Sequence, residues 1–180
     1  MGQTRPAKPV MLMTAISSSY PAAIDWAIEE LPKHFGPIGL VGERFLFDQT
    51  RFYQSTMGNR IEKQMVAFEQ LIDPADLADV KNQTNCLEQT YIDSHDHPCS
   101  RSINLDPGYV TEAKLVLATV KNRDHRIYLR DGIYAEVTLS YHNKQWNSSR
   151  WTYPDYLLDQ NIEFLTNCRD QLRKKIHSES

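Results

Sequence analysis

The segment YIDSHDHPCSR, Tyr91 to Arg101, gathers two histidines, two aspartates and a cysteine within a short span. Imidazole, thiolate and carboxylate are the groups that bind zinc, so metal coordination is the first chemistry to weigh. His95 and His97, two residues apart, can meet one ion from an extended loop, with Asp93 or Cys99 as a third ligand. A ligand set so local normally needs a fourth group from elsewhere. The preferred reading is a solvated turn between a helix and a strand: His95, His97 and Cys99 are candidates only, and no metal site is assigned.

A second group of residues suits anion recognition. Lys81, Asn85 and Glu88, spaced by four and three, share one side of a helix. In NLDPGY, Asp106, Pro107 and Gly108 read as a turn, with Gly108 at positive φ, and Asn104 and Asp106 flank it. Lys114 and Lys121 bracket an apolar strand, and Arg126 falls opposite Glu136 across a hairpin. Cations held beside hydrogen-bonding groups on a rigid sheet bind phosphate or carboxylate, and Arg126 offers bidentate geometry. The plainer alternative is a solvated cross-strand ion pair worth under about 1 kcal/mol. If the helical stripe faces Asn104 and Asp106 across a groove, Asp106 or Glu88 is the candidate general base, with Lys114 or Arg126 stabilising negative charge. Whether the protein is an enzyme is left open.

The SSSYP step, with Ser17 to Ser19 before a helix, suits an anion on exposed amides or, more commonly, a helix cap. Cys86 and Cys168 read as core thiols. His34, His125, His142 and His177 show no triad or metal-helix spacing. In WNSSRWTYPDY, Trp146, Trp151, Tyr153, Tyr156 and Arg150 are the residue types of interface hot spots, or else a lid over one end of the core.

The elements that must position these groups follow from periodicity. PVMLMTAIS reads as a buried strand, and Pro21 opens a helix with Ile24, Ala27, Ile28 and Leu31 on one face until Gly36 and Pro37. IGLVGERFLFD and RFYQSTMG read as two strands. A helix is expected from about Asn59, carrying Ile61, Met65, Phe68 and Leu71. Asp73 and Pro74 then start another helix, to about Tyr91, with the apolar stripe Leu77, Val80, Thr84, Leu87 and Tyr91. SINL, AKLVLATVK, HRIYL and IYAEVTLSY are strands. A three-residue loop RDG pairs Leu129 with Ile133, Ile127 with Ala135 and Tyr128 with Tyr134, because the two-residue alternative mixes the faces. Pro154 opens a last helix with Leu158, Ile162, Leu165, Cys168, Leu172 and Ile176 inward.

Composition sets outer limits. The chain has 180 residues, 24% charged and 41% hydrophobic, with a net charge of -3. Those values describe an ordinary globular protein and argue against a dedicated nucleic-acid binder, which is usually strongly basic. Three scattered cysteines suit a reducing compartment, and no signal peptide, myristoylation motif or membrane span is recognisable, so a soluble cytoplasmic protein is expected. No GxxxxGK[ST] phosphate loop is present.

The ordered runs FDQTRFYQSTMG, LADVKNQTNCLE, NLDPGY and KLVLATVKNRDHRIYLRDGIYAEVTLSY resemble an uncharacterised prokaryotic family, domain of unknown function family 4416. The likeness extends from TRPAKPV to WTYPDY. It implies no mechanism. It does imply that the stretch between TNCLE and NLDPGY is a decorated connecting loop rather than a fixed histidine motif.

The chain is therefore expected to form one α+β domain over residues 1–180, a mixed or mainly antiparallel sheet with helices packed mainly on one face. The expected function is binding of an anionic small molecule or nucleotide in a polar groove on the sheet face. The alternative is a non-enzymatic protein-interaction module built on the tryptophan-rich loop and C-terminal helix, with a protein partner or a second copy as the occupant. No cofactor is identifiable.

Overall fold

Val10 to Ser18 is apolar almost throughout and buried at every position, as a strand covered on both faces requires. The computed structural model describes residues 2–47 and 54–178. Within it, β1 (Val10–Ser18) leads to α1 (Pro21–Glu30), opened by proline in its first turn, and the short α2 (Pro32–Phe35), which Gly36 ends at a φ of 84°. Next come β2 (Ile38–Val41), β3 (Phe45–Leu46), α3 (Gln54–Met57) and β4 (Glu62–Ile72). Asp73 accepts a hydrogen bond from the Ala75 amide at 2.8 Å, capping a 3-10 turn that runs into α4 (Leu77–Ser94). Then follow β5 (Asn104–Val110), β6 (Lys114–Thr119), β7 (Ile127–Arg130), β8 (Ile133–His142) and β9 (Gln145–Ser148). A 3-10 turn, Pro154–Leu157, precedes α5 (Asp159–Ser178).

All nine described strands join one sheet, in the order β2-β4-β1-β5-β6-β8-β7, with β3 also on β4 and β9 also on β8. Every pairing is antiparallel, so the α+β expectation holds. Two of the three long helices share a face: α1 and α4 pack their apolar stripes against Leu12, Ile16, Val66 and Leu105. Helix α5 covers the other face, with Leu165, Cys168 and Leu172 against Met11, Met13, Ala15 and Met65. Beyond Ala15 that second face turns polar, at Ser17, Lys63, Asn104 and Asp106, which neighbour one another in register.

Several elements differ from expectation. The helix expected from Asn59 is the strand β4. Lying between β1 and β2–β3, it is buried on both faces from Lys63 to Phe68, so it lacks the alternation that marks a half-exposed strand. Part of the strand expected over Arg51–Gly58 lies outside the described residues, and Gln54–Met57 is a short helix. The 7–8 hairpin uses the two-residue loop Asp131–Gly132, with φ of 53° and 78°. The expected pairs Ile127 with Ala135 and Tyr128 with Tyr134 nonetheless form, because an extra residue, Leu129, is accommodated before Arg130 meets Ile133. Ile127 stays 72% exposed, since β7 is an edge strand. Gln145–Ser148, expected as loop, is a strand returned by a second two-residue turn at Asn143–Lys144. Cys168 is buried as expected, but Cys86 is exposed, one position off the buried stripe of α4.

The largest correction concerns NLDPGY, which is not a turn but most of β5. Thr111 donates its amide to Lys114 of β6 at 2.8 Å, so alternate residues of β5, Tyr109, Pro107 and Leu105, direct their backbone polar groups toward β6. Pro107 has no N–H to give. Pairing of β5 with β6 covers only Gly108, Tyr109 and Val110, while pairing with β1 runs back to Asn104. The two strands thus part at Pro107. Gly108 serves close approach rather than positive φ: a Cβ there would stand 2.3 Å from the Val116 carbonyl oxygen. Gly108→Ala is expected to cost about 2–3 kcal/mol and lower the thermal midpoint by roughly 5–10 °C; an unchanged midpoint would refute that close approach.

Candidate functional site

Where β5 and β6 part, Leu105 still offers an amide and a carbonyl toward the missing neighbour, and α4 supplies both partners. Glu88 accepts from the Leu105 N–H at 2.7 Å, and the Lys81 ammonium donates to the Leu105 carbonyl at 2.7 Å. Lys81 and Glu88 lie two turns apart on one side of α4, so the helix brackets a single residue of the strand. Lys81 also stands 3.5 Å from Asp106 and 3.9 Å from Glu88. Arg101 donates to Asn104 and, at 3.3 Å, to Glu88, while the Asn104 amide donates to Asp106 at 2.6 Å.

This network forms one wall of a cleft of about 940 Å³, part of it open to solvent. The floor is the polar end of the sheet face, with Ser17, Lys63 and Leu117, and the far wall carries Thr119, Lys121, Arg126 and Glu136. Tyr153, Asp155 and Tyr156 line it from the segment preceding α5.

Two further ion pairs brace it. Lys63 donates to Asp155 at 2.5 Å, both groups being buried, and the ammonium lies over the rings of Tyr156, at 4.5 Å, and Phe47, at 5.3 Å. Arg126 donates to Glu136 at 2.7 Å through Nε, and its side chain is 5% exposed. The plainer expectation of a solvated pair is thereby corrected, because the Trp151 segment covers it. Trp151 stacks on His125 at 4.9 Å and donates its indole N–H to the Val137 carbonyl at 3.4 Å, and His125 Nε2 lies 3.1 Å from Glu136.

The electrostatics are uneven. Burial pushes the Glu88 carboxyl above its ordinary value despite Lys81 and Arg101. Burial acts the same way on Asp106, yet Lys81, Lys63, the Asn104 amide and Arg101 outweigh it and hold that carboxyl below its ordinary value. The Asp106 side chain is 38% exposed, which makes the cations the larger influence. Lys121 is shifted down, by burial first and then by the Arg101 guanidinium, with Asp106 opposing and Arg126 and Arg123 adding to it. The Tyr156 phenol is pushed well up by burial and by the nearby carboxylates, so it is a hydrogen-bond donor at neutral pH.

A family model described as Domain of unknown function (DUF4416) matches residues 8–172. The chain belongs to that family. No curated protein and no solved structure matches it. In this DUF4416 member no described helix is long and apolar enough to cross a membrane.

Of the residues singled out in the sequence, Lys81, Asn85, Asn104, Asp106, Lys121, Arg126 and Glu136 line the cleft, and Glu88 stands behind Lys81 and Arg101. Lys114 lies apart, exposed at the opposite end of β6. The histidine loop is built into an aromatic stack: His97 lies on Tyr20 at 4.0 Å and His95 on Tyr91 at 4.1 Å. Among the described residues no three His, Cys, Asp or Glu side chains are grouped to hold a metal. Ser18 donates to the Ser102 carbonyl and accepts from the Tyr20 amide, so it fastens the strand end. Trp146 and Tyr156 are buried in the core, and Trp151 covers the hairpin.

Sequence reasoning missed Lys63, Arg101 and Asp155. Lys63 was hidden by the helix expected over β4. Arg101 closes the histidine segment but drew no notice beside its metal-ligand types. Asp155 directly follows the Pro154 that opens the expected last helix, where an acidic residue is ordinary.

Two measurements test this geometry. Carboxyl-carbon NMR titration is expected to place Glu88 above 4.5 and Asp106 below 3.8. The signs carry to stability: Asp106 stabilises the fold above its unfolded pKa, and that contribution is lost as pH falls through its lower folded value. Ionised Glu88 instead costs stability, relieved as pH falls through its raised value. Asp155→Ala, which leaves the Lys63 ammonium buried without its partner, is expected to cost about 3–5 kcal/mol in denaturant unfolding; a loss below about 1 kcal/mol would mean that Lys63 finds another partner.

Proposed function

We propose that the cleft binds an anionic small molecule. The observation that carries this reading is the convergence of Arg101, from the segment before β5, with Lys121 and Arg126, from the connection between β6 and β7, on one part-open cleft. Burial first, and then the like charge of Arg101, makes Lys121 hold its proton less tightly in the unliganded protein. An incoming phosphate or carboxylate relieves that repulsion and accepts charge-assisted hydrogen bonds. The carboxylates here are themselves paired, Asp155 with Lys63, Glu136 with Arg126, Asp106 with Lys81 and Glu88 with Arg101.

Recognition requires no covalent chemistry, and binding is the extent of the assignment. Titration calorimetry with ribose 5-phosphate is the direct test. The Arg101→Ala/Lys121→Ala double variant is expected to weaken binding at least tenfold, at about 1.5–3 kcal/mol per charged hydrogen bond. Binding is expected to fall as pH rises through the lowered Lys121 value, with proton uptake seen as a dependence on buffer ionisation heat. Equal affinity in the double variant would refute the site.

A further inference from the structure

The cleft has two unlike halves. Lys81, Asn85, Arg101 and Lys121 lie on the side of α4, β5 and β6, whereas Phe47, Met57, Ile61 and Tyr156 lie toward β4. Phe47 is fixed by its amide, which donates to the Ile61 carbonyl at 2.7 Å. Its ring and that of Tyr156 both face the Lys63 ammonium, whose charge Asp155 meets. Asp155 Oδ1, at the base of this half, has no hydrogen-bond donor among the described residues. An inorganic anion would occupy only the cationic half and leave the aromatic wall in water. Phe47 continues the β3 row outside β4, and β1 lies between β4 and β5, so the backbones that carry the ring and lead to Arg101 are offset by three strand spacings, roughly 14 Å, across which both side chains reach into the cleft.

We infer that the ligand is an organic phosphate carrying a flat ring some distance from its charge, as in a mononucleotide, with the ring against Phe47 and the phosphate beside Arg101 and Lys121. This rests on the anion-binding reading above and specifies its ligand class. Phe47 gives the ring a stacking surface that tolerates different bases. The spacing separates this class from aryl phosphates, whose ring and charge adjoin.

The test compares AMP, GMP, CMP and UMP with ribose 5-phosphate by calorimetry on the full chain, since the pairs differ only in the base. At least one mononucleotide is expected to bind about tenfold or more tightly than ribose 5-phosphate, a ratio in the range of one stacked base. Phe47→Ala is expected to reduce that nucleotide to the ribose 5-phosphate level while leaving ribose 5-phosphate unchanged, and Phe47→Tyr, which keeps a ring, to retain the advantage. If no nucleotide exceeds ribose 5-phosphate on the unaltered protein, the ring half is unused and this inference falls while anion binding stands. If neither class binds, both fall. A nucleotide advantage that survives Phe47→Ala would overturn the placement of the ring.

Discussion

The backbone of a single residue, Leu105, sets the plan of this protein's cleft. Leu105 sits in a strand whose neighbour has already turned away, because Pro107 cannot donate to β6 at that point. Left alone, the Leu105 N–H and C=O would be buried without partners, at about 1–3 kcal/mol each. Lys81 and Glu88 take the place of a strand. Once a lysine and a glutamate are brought there, their own charges need company, and Arg101, Asn104 and Asp106 supply it. The polar wall follows from one missing backbone donor.

The floor follows from the unequal covering of one sheet face. Helix α5 lies over the apolar part, where β1 presents Met11, Met13 and Ala15. Ser17, two residues on along the same face, meets Lys63 on one side and Asn104 on the other. The short Pro154–Leu157 turn reaches over this end, with Asp155 and Tyr156 against Lys63. A buried lysine between a carboxylate and two rings is costly to expose and costly to leave unpaired, so it pins β4 to the segment entering α5. That pin holds the aromatic half at a fixed distance from the cationic half.

Helix faces were legible in the sequence because each long helix has one wet and one dry side. The stripes of α4 and α5 are the expected ones, and the polar stripe Lys81, Asn85 and Glu88 does meet Asn104 and Asp106. What was not legible has a common cause. Strand β4 is covered on both faces, so Ile61, Met65, Phe68 and Leu71 imitate a helical stripe within a run that shows no strict alternation. Pro107 and Gly108 are turn residues by habit, but here one ends a ladder and the other admits a neighbouring carbonyl. Local preference identifies such residues as special without saying which constraint they serve. Lys63 and Asp155 lie 92 positions apart, and no local pattern announces such a pair.

On the proposed reading, stability and recognition share residues, which constrains both. Arg101 donates to Asn104 and Glu88 and also faces the cleft. An anion that drew the guanidinium away would weaken the compensation of Glu88, whose carboxyl is already held above its ordinary value by burial. Glu88 would then bind a proton more readily, and by reciprocity a proton on Glu88 would release Arg101 to the anion. Protonated Glu88 cannot accept from Leu105 and Arg101 as strongly, so the same event loosens the bracket on β5. Lys81 limits the loosening, because it keeps the Leu105 carbonyl and remains beside Asp106. The division of labour is therefore between a lysine that holds the strand and an arginine that can be shared, as their burial indicates: the Lys81 side chain is 4% exposed and that of Arg101 33%.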